Sequence, residues 1–300
     1  MKSSTHIWGA VCGALAAAAY GLNPLFAKPL YELGFSPSVV LFYRFFLAAV
    51  MLIPLLMLKR YKFALTRSEL IASLFGAVLM VCSSLCLYNS FNYMDVGLAM
   101  TLLFLYPVVV ALIMTAVYRE KISWSIALSI ALALGGLCCV TMPGKGAAGG
   151  VHITWLGVIL AIGSAVSYAV YIVAVRKSSM SKLPSEKLTF YTVLFGSPFF
   201  ILFMQGNAMF KLPSEPMSWL LLLGVAFFPT IIALVFMAMA IEKIGATPTA
   251  ILGVLEPLTG LLIGIIVYGE KLTLFSALGV VLIFASVVLV IVGDRKKLDT

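Results

Sequence analysis

Long apolar stretches dominate this sequence, and short polar or basic linkers separate them. The stretches lack the strict alternation of a half-buried strand, and each is close to the ~20 residues that a helix needs to cross a membrane. The pattern therefore predicts an all-α polytopic membrane protein with ten transmembrane helices. The expected spans are Ile7–Ala27, Ser38–Leu58, Leu70–Ser90, Val96–Tyr118, Ser123–Met142, Trp155–Val175, Lys187–Gln205, Met217–Ile241, Gly245–Tyr268 and Thr273–Val292.

The composition excludes a soluble or disordered chain. Hydrophobic residues make up 63% of the 300 residues and charged residues 10%, whereas soluble domains carry about 25% charged residues. Disorder requires low hydrophobicity and high net charge. Because ten spans occupy most of the chain, any function is expected inside the membrane bundle.

The basic residues are distributed unevenly between successive linkers. Fifteen of the 20 Lys and Arg residues fall on one side of the predicted membrane, four fall on the other, and Arg44 lies within a span. Cytoplasmic linkers carry the excess of positive charge in membrane proteins. The pattern predicts an integral protein of the bacterial cytoplasmic (inner) membrane with both termini in the cytoplasm. The net charge of +9 is then a topology signal, so we expect a lipid partner and no nucleic-acid partner.

The two halves of the sequence resemble each other at a nearly constant offset. Tyr20 matches Tyr168 at an offset of 148, and Pro107 matches Pro257 at an offset of 150. Residues 1–145 and 146–300 each hold five spans, and because five is odd, the second repeat enters the membrane inverted. Inverted repeats around a central cavity are typical of secondary transporters. The alternative is a duplication that only stabilises the bundle. In either case we expect the protein to be a monomer or a homodimer.

Two proline-containing segments of the sequence are each followed by a charged turn. They are Leu105-Tyr106-Pro107 with Tyr118-Arg119-Glu120-Lys121-Ile122, and Leu255-Glu256-Pro257 with Tyr268-Gly269-Glu270-Lys271-Leu272. This pattern resembles the EamA-type transporters of the drug/metabolite transporter superfamily, and the resemblance covers nearly the whole chain. The first copy departs from the family pattern at Arg119, where glycine is usual. The resemblance implies ten helices around a central cavity and export or exchange of small metabolites such as amino acids.

Glu256 and Arg44 are the two deep ionisable residues of the predicted spans. Glu256 lies eleven residues into its span, about 16 Å deep at ~1.5 Å per residue, where a charge is costly and faces the bundle interior. It is a candidate for proton coupling or for binding an amine, or a structural hydrogen-bonding group beside Pro257. Arg44 is a candidate clamp for a carboxylate or phosphate, or it snorkels to the outer headgroups.

Polar and aromatic residues of the spans form the candidate substrate site, most of them well inside a span and two, Tyr88 and Asn89, in a possible external vestibule at the end of the third span. Tyr20 and Asn23 share one helix face at i,i+3 spacing, and the repeat-related proline pair, Pro107 and Pro257, predicts kinks that act as hinges. The alternatives are an interfacial aromatic belt and simple helix curvature. The candidate substrate-binding residues are Tyr20, Asn23, Tyr88, Asn89, Tyr106, Ser164, Tyr168, Tyr171 and Glu256.

These features favour a secondary transporter that exports an amino acid or a related amphipathic solute by alternating access. A passive channel or facilitator and a carrier for drugs or toxic compounds remain alternatives. An enzyme is not expected, because the spans lack paired carboxylates, histidine and an HExxH motif. No cofactor or metal site is predicted. Phosphate esters are disfavoured, because they would need several deep cations and only Arg44 is present.

Overall fold

The structure is a computed structural model that describes residues 2–90, 92–94, 96–141, 154–202, 211–268 and 274–298. The regular elements of these segments are helices. Predicted features at Met142, Gln205 and residues 269–273 lie outside them. The α-helices are α1 Lys2–Gly21, α2 Asn23–Glu32, α3 Pro37–Leu58, α4 Arg67–Ser90, α5 Val96–Leu103, α6 Tyr106–Ala116, α7 Trp124–Thr141, α8 Trp155–Lys177, α9 Ser185–Leu202, α10 Pro216–Ala226, α11 Ala233–Ile244, α12 Ala246–Leu252, α13 Leu255–Tyr268 and α14 Leu274–Leu298.

Six helical segments of the described chain are long and apolar enough to cross a membrane, and three shorter apolar helices accompany them. Large apolar side chains such as Ile159 and Val281 remain exposed on the outside of the bundle, as expected where lipid rather than water is the solvent. The prediction of an all-α polytopic membrane protein is confirmed. The six segments are Thr5–Glu32, Pro37–Leu58, Arg67–Ser90, Trp155–Lys177, Pro216–Ile244 and Ala246–Val267.

Four of the predicted spans are interrupted in the described structure, and a proline lies at each interruption. Proline has no N–H to donate and clashes with the carbonyl four residues earlier, but it is tolerated in the first turn of a helix. Accordingly, Pro24, Pro107 and Pro257 lie in the first turns of α2, α6 and α13. Pro229 lies in a π-helical turn, Phe227–Ile232, between α10 and α11.

Helices from the two halves pack against each other through the middle of the bundle. The most extensive pairings are α1 with α11, α4 with α8, α3 with α9 and α7 with α14. Glycines allow close approach: a Cβ at Gly9 would lie 2.7 Å from Ile244 of α11, and one at Gly13 would lie 2.7 Å from Leu252 of α12. This pair of small residues therefore serves packing inside the chain.

Among the described residues, two exposed ion pairs each join the end of a helix to a neighbouring linker residue on the side rich in Lys and Arg. Lys59 Nζ lies 2.5 Å from Glu186 Oε1, and Lys177 Nζ lies 2.9 Å from Glu120 Oε1. The bond to Glu186 raises the pKa of Lys59 above its ordinary value. Because these side chains are partly exposed, each pair contributes at most about 1 kcal/mol.

Candidate functional site

A small cavity lies at the centre of the bundle, where α1, α6, α8, α11, α12 and α13 meet. Its volume is about 30 Å³, which is room for about two water molecules and not for an amino acid. The site is therefore closed in this conformation, and a ligand requires the surrounding helices to separate. The polar part of the lining comes from Tyr20, Tyr106, Tyr168, Met237, Thr249 and Glu256.

Tyrosine side chains form one wall of the cavity. The rings of Tyr106 and Tyr168 meet edge to face, with centroids 4.8 Å apart and planes at 75°. The Tyr168 hydroxyl donates a hydrogen bond to Met237 Sδ at 3.2 Å. Tyr171 stacks beside Tyr168 at 6.4 Å but is buried in the core outside the lining. Edge-to-face and stacked pairs fix the ring orientations, so the wall is preorganised.

The interruptions before Pro107 and Pro257 position Tyr106 and Glu256 at the cavity. Tyr106 is the first residue of α6, and Glu256 is the second residue of α13, where its backbone N–H donates to Gly253 O at 2.9 Å. Both helices thus begin at the cavity, and helix N-termini carry partial positive charge. The site offers phenolic hydroxyls, one carboxyl group and two helix N-termini to a polar ligand.

Arg44 is held inside the bundle, with only 3% of its surface exposed. Its Nε donates to Thr230 Oγ1 at 2.6 Å, and its Nη2 donates to Pro229 O at 2.7 Å. The guanidinium carbon also lies 4.9 Å from the centroid of the Tyr20 ring, a cation–π arrangement. The interpretation that Arg44 snorkels to the outer headgroups is therefore wrong, because the guanidinium group is bonded within the protein.

The π-helical turn explains why an arginine is accommodated there. Pro229 cannot donate to the carbonyl of Val225 four residues earlier, and the Thr230 hydroxyl donates to that carbonyl instead, at 2.9 Å. The same hydroxyl accepts the bond from Arg44, so the buried polar groups are paired as burial requires. Turns of this kind often occur at functional sites.

Tyr20 connects the two deep ionisable residues. Its ring lies under the Arg44 guanidinium, and it lines the cavity with Glu256. Arg44 is also within electrostatic range of Tyr88 and Glu256. An arginine and a glutamate thus both lie near one tyrosine that lines the cavity.

The remaining predicted substrate-binding residues lie outside the cavity lining. Ser164 is buried between α8 and α4 and donates to Ser83 O at 2.8 Å. Asn89 is exposed, and its Nδ2 donates to Leu85 O of its own helix at 2.8 Å. Asn23 begins α2, and Tyr88 is half-buried against the core. The structure brings together Tyr20, Tyr106, Tyr168 and Glu256, and the roles of all these residues in substrate binding stay predictions.

Sequence reasoning missed most of the small and apolar lining residues, and among those it missed are Met237, Thr249 and Gly253. Thr249, Gly253 and Glu256 follow i,i+4,i+7 spacing, which in an uninterrupted helix places residues on one face. That spacing could have identified Thr249 and Gly253 once Glu256 was chosen. Met237 carries no comparable signal in the sequence.

A second cavity, of about 300 Å³, lies at the other end of α12. Gly245, with φ of +91°, forms the turn from α11 into α12, a conformation that glycine adopts without strain. Thr247 and Pro248 line this cavity, whereas Thr249 and Gly253 line the central one. One helical turn, roughly 6 Å, therefore separates the two. The charged groups around the second cavity are Glu120, Lys121 and Arg176.

Comparison with known proteins places the chain among membrane transporters. The model of the EamA-like transporter family matches twice, at residues 7–142 and 155–292. An uncharacterised transporter of Archaeoglobus fulgidus is 28% identical over 199 residues, which is 65% of this chain and 67% of that protein. The uncharacterised transporter sll1319 of Synechocystis sp. is 33% identical over 218 residues, 70% of this chain and 63% of its own length.

A longer but weaker similarity extends to the uncharacterised transporter YetK of Bacillus subtilis. It is 22% identical over 261 residues, 84% of this chain and 78% of that protein. A solved crystal structure superposes with a TM-score of 0.79 at 16% identity, covering 96% of this chain and 98% of the other, which shows a shared fold. With both halves matched by the family model, the chain belongs to the EamA-like transporter family.

Proposed function

We propose that this chain is a secondary transporter that exports an amino acid or a related amphipathic solute by alternating access. The observation that carries the proposal is the central cavity at the interruptions of two repeat-related helices, with Tyr106 on one side and Glu256 on the other. Interrupted helices at corresponding positions of two repeats mark the binding sites of many transporters. Membership of a transporter family and relatives named as transporters support the same activity.

The helix pairings support an architecture of ten helices in two inverted repeats. In the proposed repeat, α3 corresponds to α9 and α7 to α14, and each of these pairs is in contact. The proposed repeat also relates α1 to α8 and α4 to α11. It therefore converts the pairing of α1 with α11 into the pairing of α8 with α4, and both pairings are extensive. A two-fold relationship between the halves requires such exchange, because each contact must have a counterpart.

In the alternating-access cycle, the solute occupies the two cavities in turn. The closed central site and the larger cavity beyond α12 lie one helical turn apart. Movement of α12 relative to α6 would join them, with Pro107 and Pro257 as hinges. The larger cavity lies beside Glu120 and Arg176, which belong to the side rich in Lys and Arg. We therefore assign it to the cytoplasm of a bacterial inner-membrane protein with both termini inside.

The proposed substrate class follows from the chemistry of the lining. A carboxylate at Glu256 suits an amine, and the rings of Tyr20, Tyr106 and Tyr168 suit an apolar side chain of moderate size. Arg44 is engaged by Thr230 and Pro229, so the site has no cluster of available cations for a phosphate ester. A zwitterionic or amine-bearing amphipathic solute fits this set of groups.

The test is solute counterflow with the purified protein in liposomes. Vesicles preloaded with unlabelled L-leucine or L-threonine should accumulate the labelled amino acid transiently and saturably. Tyr168→Ala should weaken the apparent affinity, whereas Tyr93→Ala, at a half-exposed tyrosine outside the cavity, should not. Flux without saturation would indicate a channel. Absence of counterflow across a panel of the common amino acids would contradict amino-acid transport.

A further inference from the structure

An open groove of about 960 Å³ lies at the edge of the bundle, away from both cavities. It runs between the start of α4 and the segment that joins α8 to the 3₁₀ turn Ser179–Lys182. Because α4 and α8 are both long apolar helices, a groove at their ends lies at the level of the lipid headgroups.

Three cations border this groove: Arg67, Lys177 and Lys182. The described residues that line it include no carboxylate. Of the acidic neighbours, Glu69 accepts the backbone N–H of Thr66 at 2.8 Å, and Glu120 pairs with Lys177. Arg67 and Lys182 have no ion pair within the described residues, and the three cations that border the groove outnumber the two neighbouring carboxylates, Glu69 and Glu120.

Serine hydroxyls form the floor beneath these cations. Ser68 and Ser179 are hydrogen-bonded to each other across the groove, and Ser181 Oγ donates to Ser178 O at 2.9 Å. Hydroxyl groups beside cations suit the oxygen-rich head of a phosphodiester. The two walls are joined by the Ser68–Ser179 bond, so the groove is formed without a ligand.

The groove continues onto an exposed apolar surface. Ile71 and Phe75 are 59% and 53% exposed, and their i,i+4 spacing places them on one face of α4. They follow the cations along α4 towards the middle of the membrane. A free anion would gain nothing from contact with this apolar surface, and an acidic soluble protein could not reach Phe75 at that depth in the membrane.

We propose that this groove binds an anionic phospholipid, with the headgroup among Arg67, Lys177 and Lys182 and an acyl chain along Ile71 and Phe75. Charge complementarity selects the headgroup, because basic clusters beside membrane helices attract anionic lipids. The adjacent apolar surface selects a lipid over a soluble phosphate. The site depends on the chain lying in a membrane and not on what the chain transports.

The experiment is a lipid titration of the purified protein in a neutral detergent, followed by thermal unfolding and by native mass spectrometry. Dioleoylphosphatidylglycerol should raise the Tm saturably and remain bound, and dioleoylphosphatidylcholine should not. In the double variant Arg67→Gln/Lys182→Gln we expect binding about thirtyfold weaker, at roughly fivefold per cation. Arg60→Gln/Lys62→Gln is the matched control, with equal charge loss on the same side, and should bind as the unaltered protein does.

Two further measurements distinguish binding of a lipid from binding of a soluble anion and from a general effect of charge. Inorganic phosphate at millimolar concentration should give no Tm shift, and equal stabilisation by phosphate would overturn the lipid assignment. Phe75→Ala should weaken phosphatidylglycerol binding several-fold, whereas Phe46→Ala, at an exposed phenylalanine of α3, should not. Unchanged lipid binding in Arg67→Gln/Lys182→Gln, or equal loss in the control, would refute the site.

Discussion

The hydroxyl group of Tyr106 packs directly against the backbone of Gly253, so that a Cβ at position 253 would overlap it. Tyr106 begins α6, and Gly253 lies between α12 and α13. Two interrupted helices from opposite halves of the chain therefore touch at the wall of the central cavity. This contact fixes the position of one of the three tyrosines that line the site.

Gly253→Ala should destabilise the protein by about 1–3 kcal/mol, the usual cost of overpacking a core, and displace the Tyr106 ring. Thermal unfolding in detergent measures the effect. Gly260→Ala is the matched control, because a Cβ there meets nothing within 4 Å, and we expect it to be neutral or to stabilise by up to about 1 kcal/mol. Adding Tyr106→Phe to Gly253→Ala should recover part of the loss. No recovery in the double variant would show that the hydroxyl contact is not the cause.

Thr230→Val should lower stability by about 1–3 kcal/mol, because it removes the acceptor for the buried Arg44 Nε and the donor to Val225 O. Valine preserves the shape of threonine, so the change isolates the hydroxyl. Thr230→Ser retains that hydroxyl and should lose much less. If both variants unfold at the same temperature, the hydroxyl does not contribute to holding Arg44.

Ser164→Ala should cost about 0.6 kcal/mol, a typical value for a hydrogen bond between membrane helices, and leave ligand affinity unchanged. The reason is that Ser164 bonds to Ser83 between α4 and α8 rather than lining the cavity. Measuring both Tm and amino-acid affinity, with Ser167→Ala as the control, separates a role in helix packing from a role in substrate binding. A clear loss of amino-acid affinity in Ser164→Ala would show that Ser164 contributes to the substrate site.

Glu256→Gln should change the affinity for an amine-bearing solute or the dependence of transport on pH. The side chain lines the central cavity, and glutamine keeps its size while removing its charge and its ability to titrate. Counterflow between pH 5 and 9 measures both effects. Glu242→Gln, on the exposed end of α11, is the control. Identical affinity and pH profiles in the protein and in Glu256→Gln would exclude a coupling or amine-binding role.

Thr247→Trp should fill part of the cavity beyond α12 and slow transport, by about tenfold if it raises the barrier by ~1.4 kcal/mol. Thr247 lines that cavity but not the central one, and because the residue is buried, the larger side chain should also lower stability by about 1–3 kcal/mol. Ile266→Trp adds a large side chain at a lipid-facing position of α13 and should transport normally. Normal transport by Thr247→Trp as well would place the solute path elsewhere.

Much of the candidate site could be predicted from the sequence, because the depth of a residue in the membrane is nearly proportional to its distance along the chain from the end of its span. That argument selected Glu256, Tyr20, Tyr106 and Tyr168, which the structure brings to one cavity. It could not exclude Ser164 or Tyr171, which lie at similar depth but face neighbouring helices. Helix rotation depends on packing partners, and those are distant in the sequence.

The sequence also could not predict which prolines interrupt their helices. Pro54 and Pro198 lie inside continuous helices α3 and α9, whereas Pro107 and Pro257 begin new ones. The lost donor is the same in every case. Whether a helix continues depends on how neighbours pair the freed carbonyl, as Thr230 does for Val225.

By itself, the sequence determined that the chain is helical and embedded in a membrane, because apolar length and low charge permit no other solvent. It also located the two deep ionisable residues. Only the tertiary structure decided that Arg44 is bonded to a π-helical turn and that Glu256 faces a cavity. The two bonds of Arg44 join residues 186 and 185 positions apart along the chain, and local patterns carry no information about such pairs.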